Sequence, residues 1–400
     1  MTDLISVAEA EALIALHMPS FGVEQASLDI AIGRVLRKAI FAERDHPPFD
    51  RVMMDGIGVR WTDPLPASFA LAGSQMAGMG RMKLQTTDAC LELTTGAIVP
   101  EDCDCIIPVE QTRRDGDHYV LAEGYKPAKG QFIHAQGSDC RAGARVLDAG
   151  VRLGAPEMAQ LAANGAAQVD VAIAPSIAIL ATGDELVEVD APLGEGQIRR
   201  SNDIAIAAAL RGRGLDRVGL YHVADDLDAT TAKLGALLAA HDVVIISGGV
   251  SMGQRDYVPD AVGALGVQRV FHRIAQRPGK PMWFGVGPEG QLVFALPGNP
   301  VSSLVCAIRY VRPALLAAMG LKADPPEYVC LGGDIQTSPT LTCFIPVHVR
   351  QDNSGRSMAT PVVAATSGDF SSLVRAHGVV QLPPGESHVL AGAVAPLYRW

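Results

Sequence analysis

The stretch Val243-Val-Ile-Ile-Ser247-Gly248-Gly249-Val-Ser251-Met-Gly253 joins an apolar, β-branched run to a glycine turn, with Asp256 and Tyr257 just beyond. A run of this kind reads as a buried parallel strand, because alternation disappears when both faces are covered. The turn exposes backbone N–H groups over residues 248–251 that can cradle a phosphate. Three further strand-like runs end comparably, at Thr182-Gly183-Asp184-Glu185, Asp225-Asp226 and Pro297-Gly298-Asn299-Pro300. A single polar strand tip is usually a helix cap. Four on one rim mark a site, since open parallel sheets bind ligands beyond their carboxyl ends. Glu185, Asp226 and Asp256 are expected to gather on a hard divalent cation such as Mg²⁺, which leaves room for phosphate oxygens. The helix after Pro300 is expected to aim its positive end at the same crevice. Arg273, Arg277 and Lys280 fall within eight residues, and beside a carboxylate rim they are expected to form an oxyanion site rather than a solvated basic face.

No Lys-Ser or Lys-Thr follows the last Gly of GGVSMG, so this turn is not a P-loop. A second dense segment, His46-Pro-Pro-Phe-Asp50-Arg-Val-Met-Met-Asp55-Gly56, is a rigid turn with two carboxylates and an Arg. It reads equally as a capped loop between domains. Thr95-Gly96-Ala97 and Gly137-Ser138-Asp139 are not singled out by spacing.

These residues need positioning elements, and 400 residues exceed one core, so two to four domains are expected. Residues 1–45 read as helical, from a Ser6-to-Glu9 capping box through Leu28, Ile30 and Val35 at helical spacing. Residues 46–134 break into short strands separated by Gly and Pro. Residues 135–170 return to turns and one helix, begun near Pro156 and stopped at Asn164-Gly165, so the first part is discontinuous. From 171 to 322 strands alternate with helices, which predicts a parallel α/β domain. Residues 325–400 read as a second β domain. The expected class is multidomain α/β.

A net charge of −10 excludes nucleic acid held by charge alone, and 5% aromatic residues argue against base-stacking platforms. No apolar run reaches the roughly 18 residues needed to span a membrane, and the N-terminus lacks a basic signal region. Seven Cys without C-x-x-C predict a reducing compartment, hence the cytoplasm. Cys103-Asp-Cys105 reads as a metal C-x-C or, preferably, as two small buried hydrophobes.

Taken together, PPFDRVMMDG, TGAIVPEDCDCIIPVE, ATGDELVE, GQIRRSNDIAI, ISGGVSMGQRDYV, RPGKPMWFG and LPGNPVSSLV resemble the molybdopterin molybdenumtransferase family, which also supplies the E domain of gephyrin. The resemblance implies an elongated N-terminal part, a small β domain, a molybdopterin-binding α/β domain and a barrel-like C-terminal β domain. It implies that adenylylated molybdopterin is hydrolysed with Mg²⁺ while molybdate is inserted, releasing AMP and molybdenum cofactor. By motif, Asp55, Asp139, Glu185, Asp226 and Asp256 would be catalytic, the last three holding metal. Thr95, Ser247, Gly248, Gly249, Ser251, Arg273, Arg277, Lys280, Pro297, Asn299, Pro300 and Ser367 would bind substrate. A homodimer with a shared cleft is implied, which would bring Asp55 and Asp139 of one subunit over the sheet of another. A pterin-adenylylating enzyme would act upstream, and molybdoenzymes or their chaperones downstream. The departures are MDGIG for MDG-Tyr-Ala, Arg for Lys at 273 and 277, and Thr340-Leu-Thr-Cys-Phe344-Ile-Pro346 in place of an Arg- and acid-bearing strand. The altered C-terminal strand and the missing Tyr motivate an alternative, a non-catalytic protein that carries finished cofactor or scaffolds the assembly of a molybdoenzyme.

Overall fold

The structure, a computed structural model, describes residues 4–250, 257–362, 366 and 368–400. Its centre is a six-stranded sheet in the order Val218–Val223, Ile177–Thr182, Val243–Ser247, Leu292–Leu296, Trp283–Val286 and Gln268–His272. The first four strands run parallel. Ile177 and Ile179 face a layer containing Ile206, Leu210, Val305 and Ile308, whereas Ala178 and Leu180 face Leu234, Leu237 and Val262. Both faces are therefore covered, which is why the central strands are apolar throughout. Each fully buried Leu or Ile contributes about 1.5–3 kcal/mol.

The sheet is mixed rather than wholly parallel. Trp283–Val286 is antiparallel to both its neighbours. The reversal is a hairpin, Gly287-Pro-Glu-Gly290, closed by the Gly287 N–H on the Gln291 carbonyl at 2.7 Å, with Gly290 at φ +88°. A connection this short cannot carry the crossover that a parallel neighbour needs.

The N-terminal 45 residues are less helical than their spacing suggests. The first helix is Val7–Leu16, begun by the expected capping box: the Ser6 hydroxyl accepts from the Glu9 N–H, and the Glu9 carboxylate accepts from the Ser6 N–H. Pro19 and Gly22, the latter at φ +68°, then redirect the chain. Residues Val23–Ser27 form a strand against Gln168–Ala172, and Leu28–Ala31 make a single turn. Two more ribbons, Ile40–Phe41 with Arg145–Leu147 and Arg51–Val52 with Ile133–His134, pair the outgoing and returning chain. Helix Ala155–Ala163 has Pro156 in its first turn and ends at Asn164, with Gly165 at φ +69°.

Between those ribbons lies a sheet in the order Cys105–Pro108, Gly56–Val59, Ala89–Leu93, Ser68–Gln75, His118–Leu121 and Thr112–Asp115. A Cβ on Gly56 would stand 2.0 Å from the Ile107 carbonyl, so only glycine allows that pairing. Cys103 and Cys105 are buried, and burial pushes their thiols up to about 12 and about 11, as expected of small hydrophobes rather than metal ligands.

The C-terminal residues close a five-stranded barrel. Thr342–Gln351 pairs with Ser357–Pro361, that strand with Glu327–Leu331, then Val394–Arg399 and Gly378–Leu382, which returns to Thr342–Gln351. Closure removes exposed strand edges. Helix Pro300–Ala318, with a π segment at Ala307–Val311, is long and apolar enough to cross a membrane, but 72% of it is buried. It packs as a core helix. At its π segment the Arg309 guanidinium binds the Glu11 carboxylate, donates to Gln381 Oε1 at 3.0 Å and lies 4.4 Å over the Tyr398 ring. One buried cation thus joins the first helix, the α/β layer and the barrel.

Candidate active site

A crevice of about 610 Å³ opens beyond the carboxyl ends of the parallel strands, where open sheets bind ligands. Glu185, Ser247, Gly248, Gly249, Pro297, Asn299 and Pro300 all line it, so seven of the residues proposed from sequence meet in one place. The glycine turn is sterically required. Gly248 and Gly249 have φ of +104° and +68°, and added Cβ atoms would lie 2.8 Å from Thr182 Oγ1 and 2.6 Å from Val258 Cγ2. The phosphate cradle is nevertheless narrower than expected, because the Gly248 N–H is already donated to the Leu296 carbonyl at 3.1 Å. Thr182 Oγ1 is buried against this turn and has no hydrogen-bond partner among the described residues.

The carboxylate set also differs. Asp226 is the N-cap of helix Leu227–Ala240 and accepts from the Ala229 N–H at 2.8 Å. It does not line the crevice; Asp225 does. Successive residues at a strand tip point in opposite directions, and the Asp nearest the helix caps it. Among the described residues no three His, Cys, Asp or Glu side chains converge as metal ligands. Asp256, Ser251 and Ser367 lie outside the described residues.

The expected oxyanion residues do not line this crevice. The backbone of Arg273 has φ +75° and bonds to Met282 and Ile5. Arg277 is exposed on a two-residue strand that pairs with Thr342–Cys343 of the barrel, and Lys280 is exposed after the same turn. The cations lining the crevice are instead Arg199 and Arg200. The Arg200 guanidinium, itself buried, binds Asp203 through Nε at 3.0 Å and Nη2 at 2.5 Å, and Glu188 through Nη1. The segment Arg199-Arg-Ser-Asn202-Asp203 belongs to a family-like motif whose residue types alone assign it no role. Its signal was two basic residues directly before a helix start, facing a strand-tip rim.

Asn202 Nδ2 donates to Ser247 Oγ at 3.1 Å and to the Gly298 carbonyl at 2.7 Å. Glu185 is held close to the backbone, since a Cβ on Gly183 would meet its carboxylate at 2.6 Å. The rim therefore combines carboxylates at 185 and 225, arginines, and the N-terminus of helix Pro300–Ala318.

A second polar locus lies in the N-terminal half, outside the crevice lining. Asp55 Oδ1 accepts from the Thr95 N–H at 2.7 Å and from the Thr95 hydroxyl at 2.9 Å. Those two bonds, the backbone one first, hold the exposed Asp55 carboxyl below its usual range. Asp139 meets His134 at 2.7 Å, and His134 meets Arg51 at 3.1 Å. Asp55 and Thr95 are thus brought together, and Asp139 joins a neighbouring imidazole.

Residues 5–165 match the MoeA N-terminal region (domain I and II), 178–317 a probable molybdopterin binding domain, and 328–400 the MoeA C-terminal region (domain IV). A molybdopterin molybdenumtransferase of Synechocystis sp. is 36% identical over 400 residues, covering 99% of this chain and 100% of that one. The chain belongs to the molybdopterin molybdenumtransferase family. A second member of the family, from Staphylococcus epidermidis, is 31% identical over 92% of this chain and 89% of its own. The crystal structure of the molybdopterin biosynthesis moeA protein of Pyrococcus horikoshii superposes with a TM-score of 0.82 at 27% identity, covering 99% of this chain and 100% of that one. The multidomain α/β architecture expected from sequence, barrel included, is that of the family.

Proposed function

We propose that this chain is an enzyme of molybdenum cofactor biosynthesis. It hydrolyses the phosphoanhydride of adenylylated molybdopterin, releases AMP and inserts molybdate between the pterin's two sulfurs. The observation that carries this reading is the crevice itself, which Glu185 and Asp225 line together with the glycine turn and the first residue of helix Pro300–Ala318. Substrate oxyanions would be met by the N-terminus of helix Pro300–Ala318 and by Arg199. Glu185 and Asp225 are hard oxygen donors that fit Mg²⁺, with Asp256 as the third ligand proposed from sequence. Bound there, Mg²⁺ would neutralise charge developing on the anhydride oxygens. Arg277 and Lys280 lie outside the lining, but their short turn runs into Pro281, which lines the crevice, so these exposed cations would draw in molybdate, a dianion, at its edge.

The separation of the Asp55–Thr95 pair from the crevice supports a homodimer in which one subunit's N-terminal half completes its partner's site. The same reading divides the chain at 1–45 with 135–170, 46–134, 171–322 and 325–400. A pterin-adenylylating enzyme would supply the substrate, and molybdoenzymes or their chaperones would take the product. Seven free cysteines support a cytoplasmic location.

The test is incubation with adenylylated molybdopterin, molybdate and Mg²⁺, scoring AMP and active cofactor. Stoichiometric release of both is expected. Binding of finished cofactor without AMP release under any metal condition would overturn the transferase and leave a carrier.

A further inference from the structure

The turn bearing Arg277 and Lys280 rests on a polar network that no solvent reaches. Gln276 is 0% exposed and Tyr310 is 2% exposed. The Tyr310 hydroxyl donates to Gln276 Oε1, and Gln276 Nε2 donates to the Pro278 carbonyl at 3.0 Å. Buried Cys306 Sγ lies 3.6 Å from Gln276 Nε2 and 3.8 Å from the Gly279 carbonyl. Gly279 has φ +93°, and an added Cβ would stand 2.5 Å from Gln276 Nε2 and 2.6 Å from Cys306 Sγ. The turn is pressed onto these three groups from below, while Arg277 and Lys280 stay exposed above.

Tyr310 comes from the π segment Ala307–Val311 of the core helix. One extra residue in a helical turn re-aims the side chains that follow it, and such segments recur at functional sites. Deep burial of a Gln and a Tyr is costly unless each finds its partner. Two apolar residues of similar shape would fill the space at no such risk. What the polar pair adds is a fixed tie from the core helix to the Pro278 carbonyl, between the two cations.

We propose that Gln276 and Tyr310 are positioning residues, which hold the Arg277–Lys280 turn in the geometry that binds molybdate. This rests on the function proposed above. Neither residue touches the substrate; each acts through the backbone of the turn.

The experiment compares Tyr310→Phe and Gln276→Met/Tyr310→Phe with the full-length wild type. KM for molybdate, kcat, Tm and AMP affinity by calorimetry are measured. Tyr310→Phe leaves Gln276 Oε1 without its donor, so Tm falls and KM for molybdate rises about five- to tenfold, the worth of a single hydrogen bond. AMP affinity is unchanged. In the double variant the unpaired Gln276 oxygen is gone and only the half-buried Pro278 carbonyl loses its donor, so Tm recovers most of the way. KM for molybdate stays high, because the tie to the Pro278 carbonyl is also gone. Recovery of KM together with Tm would make the pair a packing element only and overturn the proposal, as would an unchanged KM in both variants. A wild-type KM for molybdate in Arg277→Ala/Lys280→Ala would instead remove the anion role of the turn, and the proposal with it. Absence of AMP release by the wild type would strike the transferase reading itself.

Discussion

Asn202 and Ser247 are bonded across the crevice, Nδ2 to Oγ at 3.1 Å, and the same amide nitrogen reaches the Gly298 carbonyl at 2.7 Å. One side chain thereby sets the spacing of two strand-tip loops, the glycine turn and the Pro297–Pro300 turn. Asn202→Ala is expected to reduce kcat/KM for adenylylated molybdopterin by about tenfold or more, the equivalent of one to two hydrogen bonds. The accompanying loss of stability is about 1–2 kcal/mol by denaturant unfolding. Wild-type kcat/KM in this variant would show that the crevice tolerates untied loops.

Adjacent aspartates should part in behaviour. Asp226→Ala removes a helix N-cap and is expected to cost about 0.5–2 kcal/mol of stability while leaving turnover close to wild type. Asp225→Ala, on the crevice side, is expected to lower kcat by about a hundredfold if it holds metal. Measured stability and kcat in the reverse pattern would restore the assignment made from sequence.

Subunit sharing is tested by complementation between Asp55→Ala and Glu185→Ala proteins. If subunits pair and share the cleft, heterodimers formed under exchange retain one intact cleft. Recovery of up to half of wild-type AMP release is expected. Demonstrated exchange without recovery would confine both residues to one subunit's site.

Asp55 should titrate below the ordinary carboxylate range because of its two bonds from Thr95. A depressed folded-state pKa means that its contribution is present above the unfolded value and is lost as pH falls through the folded one. Thr95→Val keeps the backbone N–H and deletes the hydroxyl. Its Asp55 pKa, followed by NMR, is expected to rise part of the way back. No movement would leave the backbone bond as the sole cause.

Thiol labelling should separate the cysteines by burial. Burial pushes Cys90, Cys103 and Cys306 up to about 12, and Cys105 up to about 11. At pH 8 the folded protein should react first at the half-buried Cys140 and Cys330, as mapped by mass spectrometry. Rapid labelling of Cys103 or Cys105 would revive the metal reading of that C-x-C.

Much of this was legible in sequence where local and global preferences agree. The strand runs at Ile177–Thr182, Val243–Ser247 and Leu292–Leu296 are apolar because both faces are covered, and their tips are polar because they open on the crevice. The misread parts were decided by tertiary contacts. Leu28, Ile30 and Val35 have helical spacing, but Pro19, Gly22 and Gly33 break the chain, and pairing with residues 168–172 claims Val23–Ser27 for a strand. Asp225 and Asp226 are chemically alike, so only the direction of the strand tip separates the crevice-lining residue from the helix cap. Arg277 stays off the crevice lining because its backbone pairs with Cys343, a contact between residues far apart in the chain that charge alone does not reveal.

Arg309 has a consequence for how the molecule comes apart. Its guanidinium is held at once by Glu11, Gln381 and the Tyr398 ring, and it is only 6% exposed. Peeling the barrel away would strand that charge without two of its partners, and fraying the first helix would take away the third. Native-state hydrogen exchange should therefore find the barrel strand Gly378–Leu382 and helix Val7–Leu16 opening as one cooperative unit with the core helix, instead of as three separate foldons.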